Sequence, residues 1–396
     1  MARRFSIPLR AAAIPILIAL IALMEVKHLG QFYRLFTFIF VFLLLVDIAS
    51  LTRGKARDFQ IVLASIVLGL CILEATADIL AAKTWLQVTP GESVRQPIMG
   101  WGPEHAGRFH ADKRYSEAGP SIYGADYTID SDLLRQTHSI ESGPAIVFFG
   151  DSYTFGDGVN DADALPQMLA DSLDPKQRVV NLAFTGYGPQ QFLREMEVGR
   201  FDSVIGPHPK LFIFMTAVWH AERTACKAYW TPHAPRYALE NGKVVFKGAC
   251  NEGASRLARE FLQNTAAYRM FIEPYRTAIN HEDVELYIRI LEAAVRLAKE
   301  KYGVATLVPY LRVSKDYLST TGFTNEEVIE RLQNAGAIVI DASLLDEQAG
   351  GAVISIPGDG HPTPLANRLR TSMLKTYIEQ RLADVSLSGS GLRQQN

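Results

Sequence analysis

The hydrophobic positions are concentrated at the start of the chain, where three apolar stretches follow one another at roughly 11–25, 35–51 and 59–81. A helical bilayer span needs about 20 mostly apolar residues. The second and third stretches have that length, and the first reaches it only with its flanking residues. A cleaved signal peptide would show a single such stretch. The pattern therefore predicts a membrane anchor of three transmembrane helices over residues 1–83.

Basic residues indicate how this anchor is oriented. Several arginines precede the first stretch, and three basic residues lie in the loop at 52–58, whereas the loop between the first and second stretches carries only Lys27 and Arg34. The positive-inside rule places the basic loops in the cytoplasm. We therefore expect a multi-pass protein of the inner (cytoplasmic) membrane, with everything after about residue 83 on the periplasmic, extracytoplasmic side.

Polar residues within the third stretch and cysteines beyond it add two expectations. Glu74 and Asp78 lie one helical turn apart near the outer end of the stretch, which favours a solvated helix end over an intramembrane site. Cys226 and Cys250 fall in the exported part, where an oxidising compartment favours pairing. We predict a disulfide between them.

From residue 145 onward the pattern changes to short apolar runs that alternate with amphipathic, helix-forming segments. This alternation predicts an α/β domain over 145–383 with a parallel, five-stranded sheet covered by helices on both faces. Residues 84–144 are interpreted as a stalk and lead-in, 219–283 as an insertion, and the Ser- and Gly-rich 384–396 as a disordered tail. The five predicted strands are 145–150, 178–183, 210–218, 304–311 and 337–343.

Charge and composition exclude some classes of function. The 396 residues carry a formal net charge of −2, so there is no basic surplus of the kind that nucleic-acid binding requires. The histidines show no two-ligand helical spacing, and no paired Cys/His spacing appears. We expect neither a metal nor an organic cofactor.

Three motifs fall at the carboxyl ends of predicted strands or just before the last helix, where ligands bind in sheets of this kind. They read GDSYTFGDG at 150–158, NLAFTGYG at 181–188 and GDGHPT at 358–363. A serine at a strand-to-helix turn projects its hydroxyl from the sheet, and a histidine beside a carboxylate can accept that hydroxyl's proton. Together the motifs predict Ser152 as a nucleophile and His361 as its base.

These motifs resemble blocks one, two and five of the SGNH (GDSL-type) hydrolases, over about residues 145–383. The resemblance implies a three-layer, flavodoxin-like α/β/α fold and chemistry on carboxylic esters. It makes Ser152 the nucleophile and an oxyanion donor, Gly186 a second oxyanion donor, His361 the base and Asp359 the acid that orients it.

The sequence departs from the family pattern at two places. The family's acid lies three residues before the histidine, where this chain has Gly358; Asp359 is one residue closer, and Asp341 at the end of the last predicted strand is the alternative. The family also has an asparagine in block three, where this chain reads TAVWHAER at 216–223. Losing one oxyanion donor costs about 10² to 10³ in rate, so a replacement donor is expected. His220 is the nearest candidate, with Arg223 as its support.

Three functions remain open at this point. The first is an extracytoplasmic serine esterase that cleaves O-acetyl or other acyl esters of a small molecule, glycan or lipid. The second is an O-acyltransferase that works with the envelope polysaccharide machinery, and the third is a non-catalytic glycan-binding relative, which the missing asparagine would favour. Asp151, Tyr153 and Arg223 are candidate substrate-binding residues in the first two cases. The aromatic residues Tyr229, Trp230 and Tyr237 would suit sugar stacking as well as ordinary packing.

Overall fold

A computed structural model describes the chain as two compact units. The described residues are 2–30, 32–81, 85–89, 93–252 and 256–391. The first unit comprises the described residues of Met1–Ala82 and Gly253–Thr277, and the second those of Lys83–Glu252 and Ala278–Asn396. The predicted insertion at 219–283 is therefore divided between the two units instead of forming one lobe.

The first unit is helical, and the second contains all the strands. The helices are α1 (Ala2–Lys27), α2 (Tyr33–Leu51), α3 (Lys55–Leu80), α4 (Ser152–Phe155), α5 (Leu165–Ser172), α6 (Pro189–Val198), α7 (Asp202–Ile205), α8 (His220–Thr224), α9 (Arg256–Gln263), α10 (Ala266–Phe271), α11 (Glu273–Thr277), α12 (His281–Tyr302), α13 (Lys315–Leu318), α14 (Asn325–Asn334), α15 (Leu345–Ala349) and α16 (Pro364–Gly391). The strands are β1 (Trp85–Thr89), β2 (Val94–Gln96), β3 (Gly100–Gly102), β4 (Gly107–Arg114), β5 (Ser121–Ile129), β6 (Ala145–Phe149), β7 (Arg178–Asn181), β8 (Leu211–Phe214), β9 (Pro235–Glu240), β10 (Lys243–Ala249), β11 (Thr306–Tyr310) and β12 (Ile338–Asp341).

Within the described residues, two helices of the first unit are long and apolar enough to cross a membrane, namely α2 and α3. The first predicted span lies within α1, which does not meet the same criteria over its described side chains. The structure therefore supports two of the three predicted spans. The expectation that the end of α3 is solvated is wrong, because Glu74 and Asp78 are both buried.

The second unit is built on a five-stranded sheet in the order β12-β11-β8-β6-β7, and every pair in it is parallel. The predicted α/β class and sheet are thus confirmed. Alternate residues of β6 enter different cores: Val147 and Phe149 pack towards α6 and α12, and Ile146 and Phe148 towards α5 and α16. This gives three layers in the flavodoxin order of strands. The switch point between β6 and β8 is the crevice where such sheets bind ligands.

The lead-in segment is folded instead of serving only as a stalk. Strands β1, β4 and β5 form an antiparallel sheet, and β2 pairs with β3. Phe109 and Tyr127 of this sheet share a buried cluster with Phe155 and Phe184, which belong to the first two motifs. The lead-in is therefore packed against the turns that carry the candidate site.

The structure contains the predicted disulfide, whereas the C-terminal tail is largely helical. Cys226 and Cys250 form the predicted disulfide, with their Cα atoms 5.4 Å apart. Helix α16 continues to Gly391, so most of the predicted disordered tail at 384–396 is helical, and residues 392–396 lie outside the described residues.

Candidate active site

The turn after β6 holds Ser152 in a defined position. Asp151 is the N-cap of α4, and its side chain accepts a hydrogen bond from the Tyr153 backbone N–H at 3.0 Å. A Cβ atom on Gly150 would collide with Thr154 Oγ1 and Cβ, so glycine is required at this turn. Ser152 is thereby fixed at the first position of the helix, where it lines a cavity of about 510 Å³.

His361 lies in the loop before α16 and borders the same cavity. Its Nδ1 is 2.5 Å from Asp359 Oδ2, and its backbone N–H donates to the same oxygen at 3.1 Å. The Asp359 side chain is fully buried. The alternative acid, Asp341, instead accepts hydrogen bonds from Arg312 and Ser343 at the edge of the sheet. The geometry thus pairs His361 with Asp359.

A lysine from the lead-in sheet completes this pair. Lys113 of β4 donates a hydrogen bond to the second carboxylate oxygen, Oδ1, of Asp359. Burial alone would raise the pKa of Asp359, but the contacts with His361 and Lys113 hold it below its usual range. Asp359 is therefore charged and fixed from both sides. Sequence reasoning missed Lys113, because nothing in the motif indicates a partner 246 residues away.

The other ring nitrogen of His361, Nε2, faces a second carboxylate. Nε2 lies 3.8 Å from Asp157 Oδ2, and Asp157 also accepts a hydrogen bond from the Thr185 hydroxyl at 2.9 Å. No hydrogen bond joins Ser152 to His361 within the described part of the chain. Burial raises the pKa of Asp157 to about 6. Burial would lower the pKa of His361, but Asp359 and Asp157 raise it above its usual value.

We expect Asp157→Asn to shift the pH dependence of any reaction that uses His361 as a base. The base must be neutral, so activity rises as pH rises through the His361 pKa. Removing the Asp157 charge lowers that pKa, and the acidic limb of the kcat/KM profile should move to lower pH. Asp316→Asn, an exposed carboxylate on α13, is the control and should leave the profile unchanged. A limb that stays in place or moves to higher pH would contradict this role for Asp157.

His220 does not occupy the position of an oxyanion donor. It is 1% exposed, and both of its ring nitrogens are engaged: Nδ1 with Thr216 Oγ1 at 2.8 Å and Nε2 with Asp151 Oδ2 at 3.0 Å. Burial and the nearby Arg223 charge lower the pKa of His220 to about 4, so the ring is neutral at pH 7. His220 therefore forms a hydrogen bond with the buried Asp151 side chain and is not among the residues that line the cavity.

Arg223 joins that buried cluster to the cavity. Its Nη1 donates to Asp151 Oδ2 at 2.9 Å and also to the Tyr187 carbonyl oxygen. Burial alone would raise the pKa of Asp151, but Arg223 and His220 hold it below its usual range. Within the described residues Nε and Nη2 of Arg223 have no hydrogen-bond partner, and the side chain lines the cavity. Arg223 thus presents a charged donor to the cavity, and Asp151 and the Tyr187 carbonyl hold it in place.

Two backbone donors are also available in this region. The N–H groups of Ser152 and Gly186 donate no hydrogen bond within the described part of the chain. Gly186 has φ = +79°, and a Cβ atom there would lie 3.1 Å from Trp230 and 3.3 Å from Trp101. A side chain at this position would therefore be both strained and crowded, which keeps the position open to a substrate oxygen.

The remaining predicted substrate contacts are placed differently from expectation. Asp151 is buried in the charged cluster, and Tyr153 donates its hydroxyl hydrogen to the Gly360 carbonyl at 3.1 Å. Neither residue lines the cavity, and both instead hold neighbouring parts of the site in place. Of the three aromatic residues noted in the sequence, Trp230 lines the cavity, whereas Tyr237 is buried with its hydroxyl on Glu197. Trp101 of the lead-in also lines the cavity and was not predicted.

Comparisons with known proteins give structural likenesses at low identity. No protein-family model and no curated protein matches the chain. The fold is similar to a G-D-S-L family protein from Desulfitobacterium hafniense described as lipolytic, at 15% identity and a TM-score of 0.34, over 59% of this chain and 99% of that one. It is also similar to esterase EstA from Pseudoalteromonas sp. inhibited by monoethylphosphonate, at 13% identity and a TM-score of 0.34, over 61% and 100% of the two chains.

A third similar structure is a mutant of esterase AlinE4, at 14% identity and a TM-score of 0.31, over 61% of this chain and 98% of that one. At these identities and TM-scores the likenesses carry no argument about function.

Proposed function

We propose that this protein is a serine esterase of the SGNH (GDSL) type. His361 Nε2 takes the Ser152 proton as the Ser152 oxygen attacks an ester carbonyl, and the same proton passes to the departing alcohol, which leaves an acyl-serine. Water then releases the acid. The observation that carries the proposal is the His361–Asp359 hydrogen bond beside a cavity that Ser152 also lines.

Three donors would stabilise the oxyanion in this mechanism. The unpaired N–H groups of Ser152 and Gly186 are the first two. Arg223 is the third. Asp151 holds its Nη1, and its Nε and Nη2, which have no hydrogen-bond partner within the described residues, would take the role that the family gives to an asparagine. The hydrogen bond from a preorganised, charged donor of this kind becomes stronger as negative charge develops on the carbonyl oxygen.

The walls of the cavity favour an ester carried on a sugar. Trp101 and Trp230 flank the cavity beside Gly186, and indole faces pack well against the apolar faces of sugar rings. With α1 as a third span beside α2 and α3, the site would be extracytoplasmic, and the Cys226–Cys250 disulfide suits that compartment. A glycan hydroxyl that replaced water in the second step would make the protein an O-acyltransferase.

Labelling with a fluorophosphonate tests the activated serine. The full chain in detergent should be labelled, and labelling should be lost in Ser152→Ala and strongly reduced in His361→Ala. Ser372→Ala, an exposed serine on α16, is the matched control and should be labelled like the wild type. A well-folded wild type that resists labelling would favour the non-catalytic, glycan-binding alternative. Release of acid from an acyl donor, with and without a glycan acceptor, separates hydrolysis from transfer.

A further inference from the structure

The segment formed by α9, α10 and α11 belongs to the first, helical unit, although the chain on both sides of it belongs to the second. In α9 the apolar residues are Leu257, Ala258, Phe261 and Leu262, and the remaining four positions are polar. At 100° per residue the apolar positions occupy one side of the helix and the polar positions the other. We call residues 256–277 the interfacial segment.

A buried carboxylate of α3 holds this segment. Glu74 is 1% exposed, and its two oxygens accept the backbone N–H groups of Ala266 at 2.7 Å and Ala267 at 2.9 Å. These N–H groups begin α10 and would otherwise lack a partner. The Glu74 oxygens satisfy these N–H groups as the side chain of a capping residue would. Glu74 thus has a specific structural role inside an apolar helix.

The start of α2 provides a second contact. The Phe261 ring lies 5.9 Å from the Phe38 ring, and the Arg34 guanidinium lies over Phe261 at 4.2 Å. Arg34 is itself 4% exposed and paired with Glu25 at 2.5 Å. The interfacial segment therefore contacts one end of the helix pair, where α2 begins and α3 finishes.

The contacts with Glu74 lie near the end of α3. Glu74 precedes the last residue of α3, Leu80, by six positions, which is about 9 Å along a helix. Interfacial helices bury their apolar faces about 5–10 Å into the boundary between headgroups and acyl chains. By the distribution of basic residues, this end of the helices is the outer one.

The segment exposes large apolar side chains to its surroundings. Large apolar side chains exposed in such number within one short segment indicate a candidate interaction surface. Arg269 is exposed among them and is suited to reach lipid phosphates from the same helix. The exposed apolar residues are Leu257 (73%), Leu262 (43%), Phe271 (47%), Ile272 (48%) and Tyr275 (84%).

We propose that the interfacial segment lies in the outer leaflet of the bilayer that α2 and α3 cross, and that its binding partner is the lipid surface. The inference rests on the proposed membrane location of those helices, and it is independent of the chemistry at Ser152. Apolar side chains of α9, α10 and α11 contact acyl chains, and Glu74 fixes the segment at that depth.

Spin labelling of the full chain in phosphatidylglycerol/phosphatidylcholine nanodiscs tests this. Single cysteines replace Leu262 and Tyr275 in a Cys71→Ala background that keeps the disulfide. Labels there should be several-fold more accessible to oxygen than to a water-soluble nickel chelate. Asn241→Cys, in the turn between β9 and β10, should show the reverse, and Ile66→Cys in α3 reports whether that helix is in the bilayer.

The outcomes separate the possible errors. Labels at 262 and 275 that are as open to nickel as the label at 241, while 66 remains in lipid, would overturn the proposal. Labels shielded from both reagents would also overturn it, because a protein would then cover the segment. A label at 66 that is more accessible to the nickel chelate than to oxygen would contradict the membrane location of α3 itself. Glu74→Gln should increase the mobility of the 262 label, and unchanged mobility would contradict the role of Glu74.

Discussion

Replacing Asp359 by Asn is expected to lower kcat for an activated acyl ester by about 10⁴, with little change in KM. Asp359 Oδ2 accepts from His361 Nδ1, which leaves Nε2 free to take the Ser152 proton. An amide that donates to Nδ1 through its nitrogen stabilises the opposite tautomer, in which Nε2 carries a proton and cannot act as a base. The charge that stabilises the imidazolium is lost as well.

The matched control for this variant is Asp341→Asn. Asp341 was the alternative acid in the sequence, and its carboxylate binds Arg312 and Ser343 instead of His361. We expect its kcat to stay near the wild-type value. If Asp341→Asn loses activity while Asp359→Asn keeps it, the proposed assignment of the acid is wrong. Steady-state kinetics on both variants, with circular dichroism as a check of folding, makes the comparison.

Arg223→Gln is expected to reduce both activity and stability. Loss of an oxyanion donor lowers kcat by about 10² to 10³. Removing one partner of a buried ion pair costs about 3–5 kcal/mol of the free energy of unfolding, since the Asp151 charge stays buried without its partner. Arg223→Lys keeps a charge near Asp151 and should recover stability better than activity, because one ammonium replaces a planar group with several donors.

The stability loss in Arg223→Gln should also depend on pH. In the wild type, burial and Arg223 keep the pKa of His220 at about 4, below the unfolded value, so protonation of the unfolded chain costs stability as pH falls. Without Arg223 the pKa of His220 rises, and the imidazolium can compensate the Asp151 charge. The difference from the wild type should therefore shrink from pH 8 to pH 5.

Chemical denaturation at both pH values measures this difference. Arg296→Gln, on the exposed surface of α12, is the control and should change neither stability nor kcat appreciably. A difference that grows towards low pH would contradict the coupling between Arg223 and His220. A variant with reduced stability but wild-type kcat would remove Arg223 from the proposed oxyanion site.

The sequence predicts this fold well because its signals are local. Short apolar runs, turn glycines and amphipathic helices determine the parallel sheet, and the motif around Ser152 follows directly from the end of β6. His361 and Asp359 could be paired for the same reason, since only one residue separates them. Local patterns therefore define the central part of the candidate site.

The parts that sequence reasoning missed depend on contacts between distant segments. Lys113 and Trp101 lie in the lead-in, and no periodicity connects them to the motifs. His220 was expected to face the substrate because its residue type and position allow it. The structure instead engages both of its ring nitrogens, and a sequence does not reveal which hydrogen bonds a side chain makes.

The route of the chain between the two units has a consequence for proteolytic release. The chain passes from one unit to the other near residue 83, again after Glu252 and once more before Ala278. A protease that cleaves near residue 83 would leave the Ser152-bearing unit attached, because residues 256–277 remain bound to α3 through Glu74. Release of the Ser152-bearing unit from the helical unit would need cuts on both sides of the interfacial segment as well.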